Sequence, residues 1–167
     1  MKIAFTGTQG TGKTTAVFDE AKAAKIAFPN KSVTVFHDNA ARAPKGLYNK
    51  KGTEESQLWI FTNQLRTEIE LANTYDIVIC DRTVFDSISY TIWMGFTELA
   101  DKMFSLAMYH ISSYDKINFK QIKTNNYLVD CEHRDTKDLE YRQNIENFLM
   151  RLYEKSGITQ TEKFKIV

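Results

Sequence analysis

The sequence predicts an α/β protein of three layers, a parallel five-stranded sheet with helices on both faces. Two observations carry that expectation. Short apolar runs of strand length alternate with longer helical segments along the 167 residues, which implies right-handed βαβ units around a buried parallel sheet. The first run also leads straight into Gly7-Thr8-Gln9-Gly10-Thr11-Gly12-Lys13-Thr14. That stretch fits G-x-x-x-x-G-K-[ST], the P-loop, and it stands between a strand and a helix, the context that makes the pattern a site.

Residues 2–6 read as the first strand and residues 15–25 as the first helix, which Phe28-Pro29-Asn30 stops. Residues 32–36 alternate as a second strand. Residues 37–51 hold Pro44, Gly46 and Asn49 and read as a long loop, of the kind that usually carries function. Residues 54–72 form a helix with Thr53 as N-cap and an acidic first turn. Leu58, Leu65, Ile69 and Ala72 make its apolar face. Gln57, Phe61, Gln64 and Glu68 make a second stripe, either a solvated face or the wall of a cleft where Phe61 stacks on a ring and Gln64 bonds its edge.

Residues 76–80 are a buried third strand that ends in Asp81-Arg82. Helices follow at 84–93 and 98–111, the second with Leu99, Met103, Leu106 and His110 on one face, His110 packing at the core rim. Residues 116–119 are the fourth strand, 136–154 a charged helix capped at Gly157, and 164–167 the fifth strand.

A chain of 167 residues makes one domain with a real core, and its 43% hydrophobic and 26% charged residues are those of an ordinary soluble protein. A net charge of +1 offers no large electrostatic footprint for nucleic acid or a membrane. Cys80 and Cys131 lie far apart and lack metal-ligand spacing. Cys80, inside an apolar run, reads as a buried free thiol, which suits a reducing, cytoplasmic setting. The apolar start is too short for a signal peptide, and the longest charge-free stretch, 87–97, cannot span a bilayer.

In such a sheet, ligands bind beyond the carboxyl ends of the strands. The loops after Phe5, Phe36 and Cys80 therefore open at one rim. Gly7, Gln9, Gly10, Thr11, Gly12, Lys13, Thr14 and Thr15 are the candidate ATP-binding residues: backbone N–H groups and the helix N-terminus attract the phosphate oxygens. Lys13 would reach the β- and γ-phosphates, and the Thr14 hydroxyl would ligate Mg²⁺. Asp81 can hold the same Mg²⁺ or take a proton from an attacking hydroxyl, and Arg82 can grip a phosphate with two prongs. Asp86 and Tyr90 follow, four apart on one helix face, with Asp86 placed to return to that cleft. Arg42, in Asp38-Asn39-Ala40-Ala41-Arg42, is either an acceptor-side ligand or an exposed loop arginine. Arg134 and Arg142 either close over ATP as a lid, about residues 130–142, or belong to a solvated charged helix. The guanine-reading pattern Asn-Lys-x-Asp is missing at Asn118-Phe119-Lys120-Gln121, which disfavours a GTPase; motor and remodelling ATPases need a longer chain.

The P-loop with Thr15, Ala41-Arg42, Cys80-Asp81-Arg82 and the segment from Asp86 to Tyr90 resemble the small P-loop kinases of nucleosides and nucleotides. The nearest likeness is to the kinase domain related to nicotinamide riboside kinases, common among small phage-encoded ATP-binding proteins; thymidylate kinases are the second. The resemblance implies the strand order 2-3-1-4-5, Asp81 as the catalytic or metal-holding carboxylate and Arg82 as a phosphate ligand. Asp130-Cys131-Glu132-His133-Arg134 resembles the lid segment, where the family usually has Asp-Gly-x-Arg. Asn39 stands where the family often has a glutamate, with Asp38 beside it.

The expected activity is transfer of the ATP γ-phosphoryl group to a nucleoside monophosphate, with Arg42, Arg66 and Arg82 available for the acceptor phosphate. The catalytic candidates are Lys13, Asp81, Arg82, Arg134 and Arg142, with Thr14 and Asp81 on the metal. Asp38, Arg42, Phe61, Gln64, Arg66 and Asp86 are the substrate-binding candidates. Two alternatives stay open. One is a kinase of a nucleoside or of a modified base in DNA; the other is an ATP-binding regulatory module with slow hydrolysis.

Overall fold

A computed structural model describes residues 1–37, 40, 43, 52–123 and 138–167. Among them, β1 (Lys2–Thr6), β2 (Val33–Phe36), β3 (Ile77–Asp81), β4 (Lys116–Phe119) and β5 (Phe164–Ile166) form one parallel sheet in the order β2-β3-β1-β4-β5. The helices are α1 (Lys13–Ala27), α2 (Glu54–Thr74), α3 (Val84–Trp93), α4 (Thr97–His110) and α5 (Leu139–Lys155). Register decides where function sits. Phe5 pairs with Asp81 on one side and with Asn118 on the other, and Phe36 pairs with Cys80. The ends of β1, β2, β3 and β4 therefore reach the same rim together.

β1 and β3 are buried along their whole lengths, as central parallel strands must be. Helices lie on both faces, though unevenly. Val17 and Ala24 of α1 pack on Ile3, Phe5, Ile77 and Ile79 on one face. The opposite face, with Ala4, Val78, Cys80, Ile117 and Phe119, takes side chains from α2 through α5, among them Phe61, Phe85, Met103 and Leu149. Cys80 is a free, buried thiol, and burial pushes its pKa well up, so it is chemically inert. Among the described residues no helix is long and apolar enough to cross a membrane.

The inward face of α2 is not its apolar one. Thr53 caps the helix as expected, its side chain accepting from the Ser56 amide while the Ser56 hydroxyl accepts from the Thr53 amide. Leu58 and Ile69, however, are exposed, and Gln57, Phe61, Gln64 and Glu68 are buried. The reason is a charge cluster beneath the sheet's amino end. Lys2 Nζ lies 3.0 Å from Glu68 Oε2 and 2.9 Å from His110 Nε2, and that ring nitrogen is 2.9 Å from Glu68 Oε2. The Tyr114 hydroxyl and the Gln64 amide each donate to Glu68 Oε1 at 2.9 Å. Polar groups that satisfy one another can face inward, and here they do. His110 is thus a bonded member of a buried cluster. Leu106, grouped with it by periodicity, is exposed.

This cluster carries a prediction. Removing one partner of a buried ion pair strands the other, so Lys2→Ala should cost ~3–5 kcal/mol, read from urea unfolding. Burial alone would push the Glu68 carboxyl up. The His110 hydrogen bond, the Lys2 charge and the Gln64 amide outweigh it and hold the carboxyl below its ordinary 4.5. A carboxyl held down in the folded chain adds stability above its unfolded pKa and loses it as pH falls through the folded value. Stability should therefore drop on acidification below pH 4.5, and the Lys2→Ala chain should lose less over that window. An equal acid dependence in both proteins would remove the cluster as its source.

Candidate active site

The turn between β1 and α1 is shaped by backbone before side chains. Gly7 has φ +134°, and a Cβ there would collide with the Lys120 carbonyl just past β4. Gly12 has φ +76° and serves as the N-cap of α1, with open space where a side chain would be. No side chain caps α1 and no acidic residue sits in its first turn, so the amides and positive end of the helix face the loop's mouth. The loop is braced from within: Lys13 Nζ donates to the Thr8 carbonyl at 2.7 Å, Thr11 Oγ1 donates to the same oxygen at 3.0 Å, and Thr8 Oγ1 donates to Gln9 Oε1 at 2.7 Å. Gly10 is half-buried at the tip, and Thr15 is exposed on the first turn of α1.

Thr14 Oγ1 donates to Asp81 Oδ2 at 2.8 Å, across the gap between α1 and the end of β3. Asp81 is 3% exposed. One hydroxyl and one carboxylate at that separation suit Mg²⁺, which keeps several waters and takes phosphate oxygens besides. Among the described residues no group of three His, Cys, Asp or Glu forms a metal cage, the arrangement expected for a harder-held ion.

Arg82 follows with φ +85°, a left-handed backbone in a residue with a side chain, while its amide donates to the Phe5 carbonyl at 2.8 Å. Its Nη1 lies 3.3 Å from Asp86 Oδ1 and 3.5 Å from the Tyr90 hydroxyl. Asp86 has no exposed surface. Burial pushes its carboxyl above the ordinary value, against the charges of Arg82 and Lys13. Tyr90 donates to Gln9 Oε1 at 2.9 Å, and Arg142 Nε donates to the Gln9 carbonyl at 3.1 Å. Arg142 is 3% exposed, and its buried Nη2 has no hydrogen-bond partner among the described residues. Burial holds its pKa below the usual arginine range.

Lys13, Thr14, Asp81, Arg82 and Arg142 thus converge on the loop Gly7 to Gly12. Others lie elsewhere. Phe61 is wholly buried in the core and Gln64 is bonded to Glu68, because the charge cluster turns that face of α2 inward; neither walls a cleft. Arg66 pairs with Glu70 at 3.1 Å on the exposed face of α2. Asp86 is enclosed by protein donors, so it presents no surface to a ligand. Arg142 sits inside the fold rather than on a solvated helix, because Asp138 caps α5 and directs its first turn onto the loop. Asp38, Arg42 and Arg134, and most of the lid segment, lie outside the described residues. The residues sequence reasoning missed are Thr6 and Thr83, whose hydroxyls meet Asp86 Oδ2 at 2.7 and 3.1 Å. Thr6, at the end of a strand, carries no motif that would single it out, whereas Thr83 opens the capping-box pattern Thr83-Val84-Phe85-Asp86, the signal that could have found it.

The family model described as AAA domain matches residues 2–163. Among solved structures, a deoxyadenosine kinase from M. mycoides with bound dATP superposes with a TM-score of 0.68 at 18% identity, over 100% of this chain and 90% of that one. A NadR protein in complex with NR gives 0.76 at 18% identity, over 99% of this chain and 45% of its own. This chain therefore spans under half the length of that protein. A thymidylate kinase from Ehrlichia chaffeensis gives 0.64 at 18% identity, over 100% and 86%. Among curated proteins, none matches the sequence. At that identity the likeness is one of fold, and the fold is that of small P-loop kinases.

Proposed function

This chain belongs to the AAA domain family, and from that premise we propose that it is an ATP-dependent phosphotransferase acting on a nucleoside monophosphate, a single kinase domain with a lid near residues 130–142. The observation that carries the reading is the Thr14–Asp81 contact of 2.8 Å beside Lys13 and Arg82 at one rim. The uncapped start of α1 and the loop amides bind the donor's phosphates, and Lys13 sits where the transferred group must pass. Mg²⁺ held by Thr14 and Asp81 would neutralise charge on the β- and γ-phosphates. Arg82 grips the acceptor phosphate, and Arg142, with Nη2 uncommitted, stabilises charge that develops on the group in transfer.

The Asp81 contact also bears on the acceptor. A hydroxyl acceptor needs a base, whereas a phosphate acceptor is already ionised. Asp81 would be taken up by Mg²⁺ together with Thr14 and Asp86 is enclosed, so among the described residues the rim carboxylates suit a phosphate acceptor better. Among the described residues Arg82 then supplies the acceptor charge partner, since Arg66 is paired on the far surface of α2.

ADP release measured over a panel of nucleosides, nucleoside monophosphates and oligonucleotides tests this directly. Rapid turnover with a monophosphate is expected. Turnover with a nucleoside or an oligonucleotide alone would replace the acceptor, and equal ADP release without any acceptor would make the protein an ATPase.

A further inference from the structure

We propose that Asp86 is a positioning residue that sets the phosphate loop and Arg82 in register, so that donor and acceptor sides are both referenced to one buried carboxylate. The proposal rests on the phosphotransferase reading above. Its basis is the division of donors around the two carboxylate oxygens. Oδ2 accepts from Thr6 Oγ1 at 2.7 Å, the Thr83 amide at 2.8 Å and Thr83 Oγ1 at 3.1 Å. Oδ1 faces the Gly7 amide at 3.4 Å and Arg82 Nη1 at 3.3 Å. An aspartate that merely capped α3 would need only Thr83. Thr6 and Gly7 open the phosphate loop, and Arg82 is the arginine at the end of β3. These donors tie the cap to both halves of the site.

Tyr90, one turn on along the same face, repeats the pattern. Its hydroxyl donates to Gln9 Oε1 at 2.9 Å and receives Arg82 Nη1 at 3.5 Å, and the guanidinium carbon stands 5.4 Å from its ring centroid. Two side chains four apart thus hold the loop at Thr6, Gly7 and Gln9 and hold Arg82 as well. The bar that carries them is rigid. α3 is buried from Val84 to Thr91, and Thr83 at its cap lies 2.6 Å from the Tyr153 hydroxyl of α5. Arg82 needs such a hold, because its left-handed backbone departs from the strand that would otherwise aim its side chain.

Asp86→Asn isolates the tie. Its one oxygen is best placed toward the three Oδ2-side donors, which leaves the NH₂ group facing the Gly7 amide and Arg82 Nη1, donor against donor. With Mg-ATP and the acceptor chosen by the panel, kcat should fall on the order of 10²-fold, the scale of a misplaced reacting group, while Mg-ATP affinity by calorimetry changes only a few-fold. The double variant with Arg82→Ala should be no slower than Arg82→Ala alone, since both changes remove one arrangement. Losses that multiply would overturn the proposal. Should Asp86→Asn fail to fold, Tyr90→Phe runs the same cycle with a smaller loss. A readout free of turnover separates this proposal from the reading beneath it. The Arg82 guanidinium signals in ¹⁵N-arginine-labelled protein, assigned by their loss in Arg82→Ala, should be sharp in the wild type and averaged in Asp86→Asn. An inactive wild type sinks the phosphotransferase reading; unchanged Arg82 signals in Asp86→Asn sink the tie.

Discussion

Lys13→Ala should abolish acceptor-dependent ADP release while leaving the chain folded. The loss expected is on the order of 10²–10³-fold in kcat, the scale for removing one preorganised charge from the path of a transferring group. Lys13 is 6% exposed and lies within the loop, its ammonium on the Thr8 carbonyl. That carbonyl keeps a second donor, Thr11 Oγ1 at 3.0 Å, so the brace of the loop survives the substitution. Val17, the next residue of α1 toward the core, is fully buried and anchors the helix independently. Thermal unfolding should therefore change little, and on the proposed role of the lysine, contact with phosphate before and during transfer, Mg-ATP affinity should fall along with the rate. A folded Lys13→Ala protein with normal turnover would end the phosphate-loop reading.

The loop, the strands and the Asp81-Arg82 pair were legible in the sequence for a common reason. Each is dictated by local backbone need. Gly7 and Gly12 occupy positive φ, the apolar run 77–80 is buried on both faces, and a carboxylate placed after such a run has only the rim to occupy. The face of α2 was not legible. Periodicity tells which residues share a stripe, but not which stripe turns inward when polar groups satisfy one another. Beyond Gln64 on the same helix, the partners of Glu68 are Lys2 on β1, His110 on α4 and Tyr114 in the link before β4, all distant along the chain. The same limit applies to Asp86 and Arg142. Their residue types suggest solvent or ligand, yet both are enclosed, because Thr6 and Thr83 supply the donors for one and Gln9 the acceptor for the other. Arg66 shows the converse. It is an arginine of the right type on the wrong face, paired with Glu70 one turn away.

Asp81→Asn separates a kinase from a nucleotide-binding module. The asparagine keeps the shape of the side chain and an oxygen for the Thr14 hydroxyl, which now sits 2.8 Å from Asp81 Oδ2, while it removes the negative charge and puts an NH₂ group in place of the second carboxylate oxygen. In a module that merely holds nucleotide, the charge matters for retaining Mg²⁺ in the ground state, and affinity should suffer first. In a phosphotransferase the charge matters most when the metal, the loop and the transferring group are in line, so the turnover number should fall much further than affinity. We expect the second pattern, with a loss on the order of 10²-fold or more in kcat against a modest change in Mg-ATP binding. Arg82 sharpens the expectation. It neighbours Asp81 and its Nη1 is held by Asp86 and Tyr90, so the substitution leaves the proposed acceptor-side cation where it was. The acceptor KM should then stay close to that of the wild type. Calorimetric Mg-ATP affinity set beside turnover at saturating acceptor decides the matter. A collapse of affinity with a normal residual rate would make Asp81 a ground-state metal anchor. No change in either would place the metal, and the transfer, away from the end of β3.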